Sequence, residues 1–506
     1  MGTSVDVRAP DSAGADLLAL FVAEPALPLP AAAGPLGERL GERIAALAAD
    51  GELTGAPGQT VLLHLDGELG ARRLVLAGTG PAPQADADAL RTAAAAVARA
   101  ARATGALSIG WLLDPEDAQL LDDFARAIVE GVLLGGYDPA RWKTAGRSPG
   151  LERLTLLADP AVAGTAARTA TVCSWVNRAR DLANEPPNDL TPGRLANDVE
   201  ELAADLAHVR AETLGPEEIE RHGMGALAAV GRGSDNPPRL VVLRYEPPAA
   251  VDGVHLGLVG KAITFDTGGI SLKPALYMEE MKGDMAGGAA VIAALGALAE
   301  LGIPLRTTAV VAAAENMVGS RSFRPGDILR AMSGTTIEVV NTDCEGRLVL
   351  ADALWYARRE GATHLLDLAT LTGSMVLALG DLYAGVFGNE ESWRDAVVDA
   401  GNAGGDHAWP MPLHPRYRRY IDSAFADLKN HSILKEGSPP IAAEFLHEFA
   451  GEGPWAHVDM AGPAFLMRSR GDYLTQRGGT GYGVRLIVEL ATRLAACTST
   501  FPPSTT

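Results

Sequence analysis

The sequence predicts an α/β protein of two domains, the second built on a central, mostly parallel or mixed sheet flanked by helices. Three observations carry this expectation. The chain has 506 residues, more than one core organises at roughly 100–200 residues per domain. Strand-like and helix-like segments alternate through the first third, as in layered α/β folds. From Arg239 onward the strand-like segments become near-continuous apolar runs, which strands buried on both faces require.

In the first third, short apolar runs at Leu17–Val22, Val61–His64, Leu74–Ala77, Ser108–Leu113 and Leu154–Leu157 read as strands. Apolar residues spaced for one helical face mark Leu36–Ala49, Ala89–Ala103 and Gln119–Leu134. Arg147–Leu151 carries Ser, Pro and Gly and reads as a loop or linker. A long helix over Thr165–Leu182 is stopped by the two prolines of Asn184-Glu185-Pro186-Pro187-Asn188. Thr191 then N-caps a new helix with Pro192 in its first position. The expected organisation is an N-terminal α/β domain over 1–165, a connecting helix and linker over 166–192, a C-terminal domain over 193–496, and a flexible tail over 497–506. Within the C-terminal domain the strands fall at Leu240–Leu243, Leu256–Val259, Thr307–Ala312 and Leu365–Leu368, with helices at Ala286–Leu301 and Leu348–Arg359.

Composition narrows the function. At 47% hydrophobic and 21% charged residues the chain is globular rather than disordered. Its net charge of −20, with no Lys/Arg-rich run, disfavours a nucleic-acid partner, which needs a basic face. The acidity reads as solubility, or else as recognition of a cation such as a free peptide amine. Cys173, Cys344 and Cys497 form no disulfide framework and no CxxC knuckle, which suits a reducing compartment. Met1–Pro30 lacks a basic n-region, and the run Leu17–Ala23 is too short for a signal segment or a membrane span. A soluble, cytoplasmic protein without membrane association is expected.

Three segments carry chemistry. Val259–Pro274 follows a buried strand, turns glycine-rich and delivers Lys261, Asp266 and Lys273 beyond the carboxyl end of a strand, where open α/β sheets bind ligands. A lysine there is costly unless paired or coordinated. A P-loop reading fails, because His255 stands at the first glycine position and Ala262 at the magnesium-binding hydroxyl position. Met281–Gly288 brings Asp284 to the opening of a helix, where an N-cap role worth about 1 kcal/mol competes with a functional one. In Ile337–Arg347 an apolar strand runs into Asp343, Glu345 and Arg347, whose spacing of two would put them on one side of an extended chain. Asp266, Asp284, Asp343 and Glu345 together carry −4, which two divalent ions about 3.5–4 Å apart, the usual clamp for amide and phosphoester hydrolysis, would neutralise. Oxygen ligands suit Mg²⁺ or Mn²⁺, and Zn²⁺ also accepts carboxylates. The ten histidines include no HExxH pair.

At these residues the sequence resembles the leucyl aminopeptidase family of cytosolic metallopeptidases. The family octapeptide NTDAEGRL reads here as Asn341–Leu348 with Cys344 in place of Ala. Gly260–Pro274 is similar to GKGxTFDSGGxxxKP, departing at Ala262 and Thr267. Further matches are Asn184–Pro192, Gly223–Ser234, Asp367–Gly373, Trp455–Gly462 and Gly481–Leu486. The resemblance implies a macro-like N-terminal domain, a homo-hexamer, peptide substrates with a free N-terminus, and preferred release of leucine and other apolar residues. It implies that Lys261, Asp266, Asp284 and Glu345 bind one ion and that Asp266, Asp343 and Glu345 bind the other. Lys273 and Arg347 would be the catalytic pair, Lys273 stabilising an oxyanion and Arg347 holding a bicarbonate or water. As a ligand, Lys261 would need its pKa pulled down by the metal. Thr370, Leu371 and Gly373 would line the substrate pocket, together with Met281, for which a core methionine is nearly as good a reading. Cys344 reads as a small hydrophobe more readily than as a redox handle. Pro440-Ile441 stands where the family has Ile-Thr, so both departures touch fine specificity. A DNA-binding regulator, an inactive scaffold and a two-metal phosphoesterase are the competing readings. The charge opposes the first, and the full set of seven expected active-site residues opposes the second.

Overall fold

The computed structural model describes residues 2–9, 14–29, 34–67, 70–113, 120–145, 149–432, 434 and 436–496. Residues 147 and 148 of the expected linker, and the expected tail 497–506, lie outside these. The chain divides into two compact units, 1–177 with 468–476, and 178–467 with 477–506.

The first unit is built on six strands, β1 Ser4–Arg8, β2 Leu17–Glu24, β3 Thr60–His64, β4 Arg73–Pro81, β5 Ser108–Leu112 and β6 Arg153–Leu157. They lie in the order β1-β6-β5-β2-β4-β3, with β3 antiparallel to β4 and the other pairs parallel. Helices Ala87–Thr104 and Leu121–Gly135 pack against each other, and the first is buried through Ala93, Ala94, Ala95 and Ala98. Asp86 caps that helix by accepting from the Ala89 N–H at 2.9 Å, an interaction worth about 1 kcal/mol. Strand β1 lies outside the apolar runs of the sequence, since only Val5 and Val7 of its five residues reach the core.

The second unit carries an eight-stranded mixed sheet. Its strands are β7 Val209–Leu214, β8 Arg239–Tyr245, β9 His255–Asp266, β10 Arg306–Asn316, β13 His364–Ala369, β14 Ala384–Gly388, β15 Ala408–Pro410 and β17 Trp455–Asp459. Three short strands, β11 Ile328–Arg330, β12 Thr336–Glu338 and β16 Leu428–Lys429, form a separate sheet. The order of the large sheet is β15-β14-β17-β13-β9-β10-β8-β7, and its centre, β17, β13, β9 and β10, is parallel throughout. Apolar residues line both faces of β9 and β10, each fully buried Val, Leu or Ile contributing about 1.5–3 kcal/mol.

The helix Ala286–Glu300 explains its own composition. With the turn before it, it is long and apolar enough to cross a membrane, yet 94% of that window is buried inside the protein. It packs against β9, β10 and β13 so closely that a Cβ on Gly260 would stand 2.6 Å from the Gly288 Cα. Successive strand residues face opposite sides. Gly260 therefore fixes one face of β9 against this helix and sends Lys261 to the other face, toward the helix Gly346–Arg359.

Candidate metal centre

The residues singled out in sequence gather at the carboxyl ends of β9, β10 and β13, where parallel sheets present their ligand sites. Lys261 lies inside β9 rather than past its end, because the strand continues to Asp266. Its buried Nζ stands 2.8 Å from Asp284 Oδ2 and 2.9 Å from Glu345 Oε1 and donates to the Thr370 carbonyl at 3.2 Å. A Cβ on Gly346 would lie 2.7 Å from that nitrogen, so only glycine leaves the ammonium its place.

Asp266 closes β9, and Lys273 in the following loop reaches back to it at 2.8 Å and to Asp343 at 2.5 Å. Oxygens of Asp266, Asp343 and Glu345 all lie within 4.8 Å of one another. Asp284 belongs to the turn Met278–Met285 and does not cap the helix that follows; Met285 holds that position. The Asp284 carboxylate instead accepts from Thr370 Oγ1 at 2.6 Å. The segment before Arg347 is likewise not an extended core strand. β12 ends at Glu338, in the small sheet, and the chain turns through Thr342 and Asp343. The turn, not a strand pleat, brings Asp343 and Glu345 together. Arg347 sits in the first turn of the helix Gly346–Arg359, buried, donating from Nη1 to the Asn430 carbonyl at 2.8 Å.

The electrostatics call for cations. Burial and the neighbouring carboxylates push Glu345 well above the usual carboxylate range, and burial outweighs Lys261 to raise Asp284 as well. Burial pulls Lys261 down, but Asp284, Glu345 and Asp266 outweigh it and hold the amine above its ordinary value. Lys273 is raised in the same way, chiefly by Asp266, Glu345 and Asp343 against its own burial. Four carboxylates thus face two ammonium groups, leaving excess negative charge where Asp266, Asp284 and Glu345 are buried. Glu345 Oε2 is buried and has no hydrogen-bond partner among the described residues. Oxygen donors, excess negative charge and an orphaned carboxylate oxygen fit a divalent-ion site.

Leu371 and Gly373 continue the loop after Thr370 into the helix Gly373–Leu379, and a Cβ on Gly373 would meet nothing within 4 Å. Met281 is half-buried, three residues before Asp284. Cys344 is half-buried rather than enclosed, its thiol pushed up by burial.

Three supporting residues escaped the sequence reading. Asn316 ends β10 and donates to Asp266 Oδ1 at 2.8 Å and to the Thr342 carbonyl at 3.0 Å. Asn430 accepts from the Val340 N–H at 2.9 Å and donates to the Asn341 carbonyl at 2.7 Å. Asp459 ends β17 and accepts from Thr372 Oγ1 at 2.6 Å and from the Leu371 N–H at 3.2 Å. A signal existed for Asn316 and Asp459, since each is a polar residue ending a buried apolar run, as Asp266 is.

Comparison with known proteins finds matches over most of the chain. The catalytic domain of the cytosol aminopeptidase family matches residues 177–488, and that family's N-terminal domain matches 19–145. A probable cytosol aminopeptidase of Solibacter usitatus is 45% identical over 446 residues, covering 88% of this chain and 92% of that protein. One from Roseiflexus castenholzii is 43% identical, covering 87% and 91%. Among solved structures, a tomato leucine aminopeptidase mutant superposes with a TM-score of 0.87 at 32% identity, covering 97% of each chain. The bottromycin maturation enzyme BotP in complex with Mn gives 0.83 at 35%, covering 95% of this chain and 100% of that one.

Proposed function

The chain belongs to the cytosol aminopeptidase family and is a metal-dependent aminopeptidase, and we propose that it works with two divalent ions held by Lys261, Asp266, Asp284, Asp343 and Glu345. Lys261, Asp266, Asp284 and Glu345 would hold one ion. Asp266, Asp343 and Glu345 would hold the other, with the Asp343 carbonyl assisting. The observation that carries this reading is the convergence of Asp266, Asp343 and Glu345 oxygens within 4.8 Å, beside the Lys261–Asp284 pair. Bound there, two divalent ions would supply Lewis-acid polarisation of a peptide carbonyl and activation of water.

The chain's own groups do the rest. Lys273, part-exposed beside Asp266 and Asp343, places a positive charge where an oxyanion would develop. Arg347, fixed by the Asn430 carbonyl, holds bicarbonate or water for proton transfer. Thr370, Leu371, Gly373 and Met281 border the pocket for the first side chain, which favours leucine and other apolar residues. A peptide's free N-terminal amine suits a site this rich in carboxylates. Manganese or zinc are the ions of choice, and magnesium also suits oxygen donors. A homo-hexamer in the cytoplasm is the proposed working form.

Release of leucine from a leucyl chromogenic amide tests the reading. Activity should vanish on chelation, return with Mn²⁺ or Zn²⁺, and be abolished by Lys273→Ala. A panel of aminoacyl amides then reads the side-chain preference. Hydrolysis that survives exhaustive chelation, or activity on phosphate esters but not on aminoacyl amides, would overturn it.

A further inference from the structure

We infer that Asn316 is a positioning residue for the metal centre: it locks the Asp266 carboxylate and the Asp343-bearing turn into one arrangement before any ion arrives. This rests on the two-ion reading above. Asn316 is wholly buried at the end of β10. One of its amide protons goes to Asp266 Oδ1 at 2.8 Å and the other to the Thr342 carbonyl at 3.0 Å. Two chain segments, 26 residues apart from Asn316 on one side and 50 on the other, are thereby tied to one side chain.

The amide orientation is settled by its neighbours. Turned over, its oxygen would face the Asp266 carboxylate and the Thr342 carbonyl, two acceptors. Asp266 Oδ1 also accepts the Gly268 N–H at 2.8 Å. One oxygen of Asp266 is thus occupied by two donors, while Oδ2 is turned toward Lys273. The carboxylate cannot rotate without breaking both bonds.

The backbone is shaped to permit this. β9 and β10 pair in parallel, Ala314 opposite Ile263, but the next pair is Glu315 with Phe265, so Thr264 is left over as a bulge. Bulges re-aim the side chains beyond them. Without it Asn316 would stand beside Phe265; with it, Asn316 stands beside Asp266. Thr342 completes the tie by donating from Oγ1 to the Gly268 carbonyl at 2.6 Å and accepting the Ser271 N–H at 2.8 Å.

The test is calorimetric titration of the metal-free full chain with Mn²⁺, for the wild type, Asn316→Ala and Asn316→Leu. The leucine keeps the branched four-atom skeleton, with somewhat more bulk, and removes the donors, so a defect shared by both variants reports lost hydrogen bonds rather than a cavity. Melting of the same metal-free proteins is recorded alongside. A positioning role predicts Mn²⁺ binding weakened by about 10–100-fold in both variants, the usual effect of removing a group that orients a metal ligand, at temperatures where all three are folded. Unchanged affinity in the variants would overturn the inference, as would affinity restored by leucine or failure of both variants to fold, which would mark a purely structural role. A wild type that binds no Mn²⁺ would instead overturn the two-ion reading, and this inference with it.

Discussion

Loading the centre with Mn²⁺ is predicted to expel protons, and their number follows from the carboxylate cage. Lys261 Nζ stands 2.8 Å from Asp284 and 2.9 Å from Glu345, and these partners keep it an ammonium. An ammonium has no lone pair to give, so a Lys261 that ligates an ion must release its proton. That is one proton per subunit. Burial also raises Glu345 and Asp284, so part of the metal-free population holds a further proton there, which the ion displaces. Release should lie between about one and about two protons per subunit near neutral pH. The sign is fixed by competition: protons oppose the ions, so affinity grows as pH rises and fades in acid. Each released proton steepens the dependence by about tenfold per pH unit, or about 1.4 kcal/mol. Calorimetric titration in two buffers of different ionisation heat counts the protons directly. Lys261→Arg sharpens the result, because a guanidinium keeps its charge and cannot become a ligand. That variant should release about one proton fewer and bind the ion beside Asp284 poorly. Binding heats independent of the buffer, with affinity constant from about pH 6.5 to 8, would refute the assignment of Lys261 as a ligand.

Two further outcomes are expected. Arg347→Ala should lower kcat by about 10²–10⁴, the usual contribution of positioned proton transfer, while Mn²⁺ stoichiometry, read by metal analysis, stays at the wild-type value; a matching loss of metal would show that Arg347 acts on ion binding instead. Asp352, wholly buried, accepts the backbone N–H groups of Ala226, Leu227 and Met332 at 3.0, 2.9 and 2.7 Å, so Asp352→Ala should cost about 3 kcal/mol or more, at about 1–3 kcal/mol per orphaned group, in denaturant unfolding, and a loss under about 1 kcal/mol would contradict this. Burial outweighs those three donors and pushes Asp352 up to about 7; a folded-state value raised above the unfolded one means that the group favours the fold most in acid and that this contribution is lost as pH climbs toward 7, a slope that Asp352→Asn should remove.

The division between what the sequence disclosed and what it concealed follows the range of the forces involved. Strands β9, β10 and β13 were legible because burial on both faces writes itself as an unbroken apolar run, and Thr191 with Pro192 was legible because a cap acts on its nearest neighbours. Asp266 was legible because a charge ending such a run is costly unless paired, whereas Lys261, Lys273, Asp284, Asp343 and Glu345 were legible through the charge count and the family motifs, since Asp284 sits in a turn and Asp343 and Glu345 follow a short strand of the small sheet. The ends of elements were harder. β9 runs seven residues past Val259 because Lys261 is neutralised by partners distant in sequence, Asp284 and Glu345, and a local pattern cannot show that a buried charge has found them. The same blindness turned the approach to Arg347 into a strand: alternation suggested an extended chain, whereas Asn430, some ninety residues away, takes up the Val340 N–H and Asn341 carbonyl that a sheet would otherwise have used.

Asn316 and Asp459 mark the boundary most clearly. Each ends a buried strand, as Asp266 does, yet neither carries a recognisable role until strand order is known. Parallel pairing puts β10 beside β9 and β17 beside β13, and that placement turns an ordinary amide and an ordinary carboxylate into the struts of the site. Asn316 holds Asp266 from one flank. Asp459 holds the 371–372 backbone from the other, next to the Thr370 that bridges Asp284 and Lys261. These acidic side chains alone cannot set their own spacing, because four carboxylates against two ammonium groups keep an excess of negative charge that pushes them apart. Neutral donors and backbone ties that do not depend on the ions must hold the geometry open, and the sheet's parallel centre supplies them on both sides, Asn316 level with Asp266 and Asp459 level with Ala369.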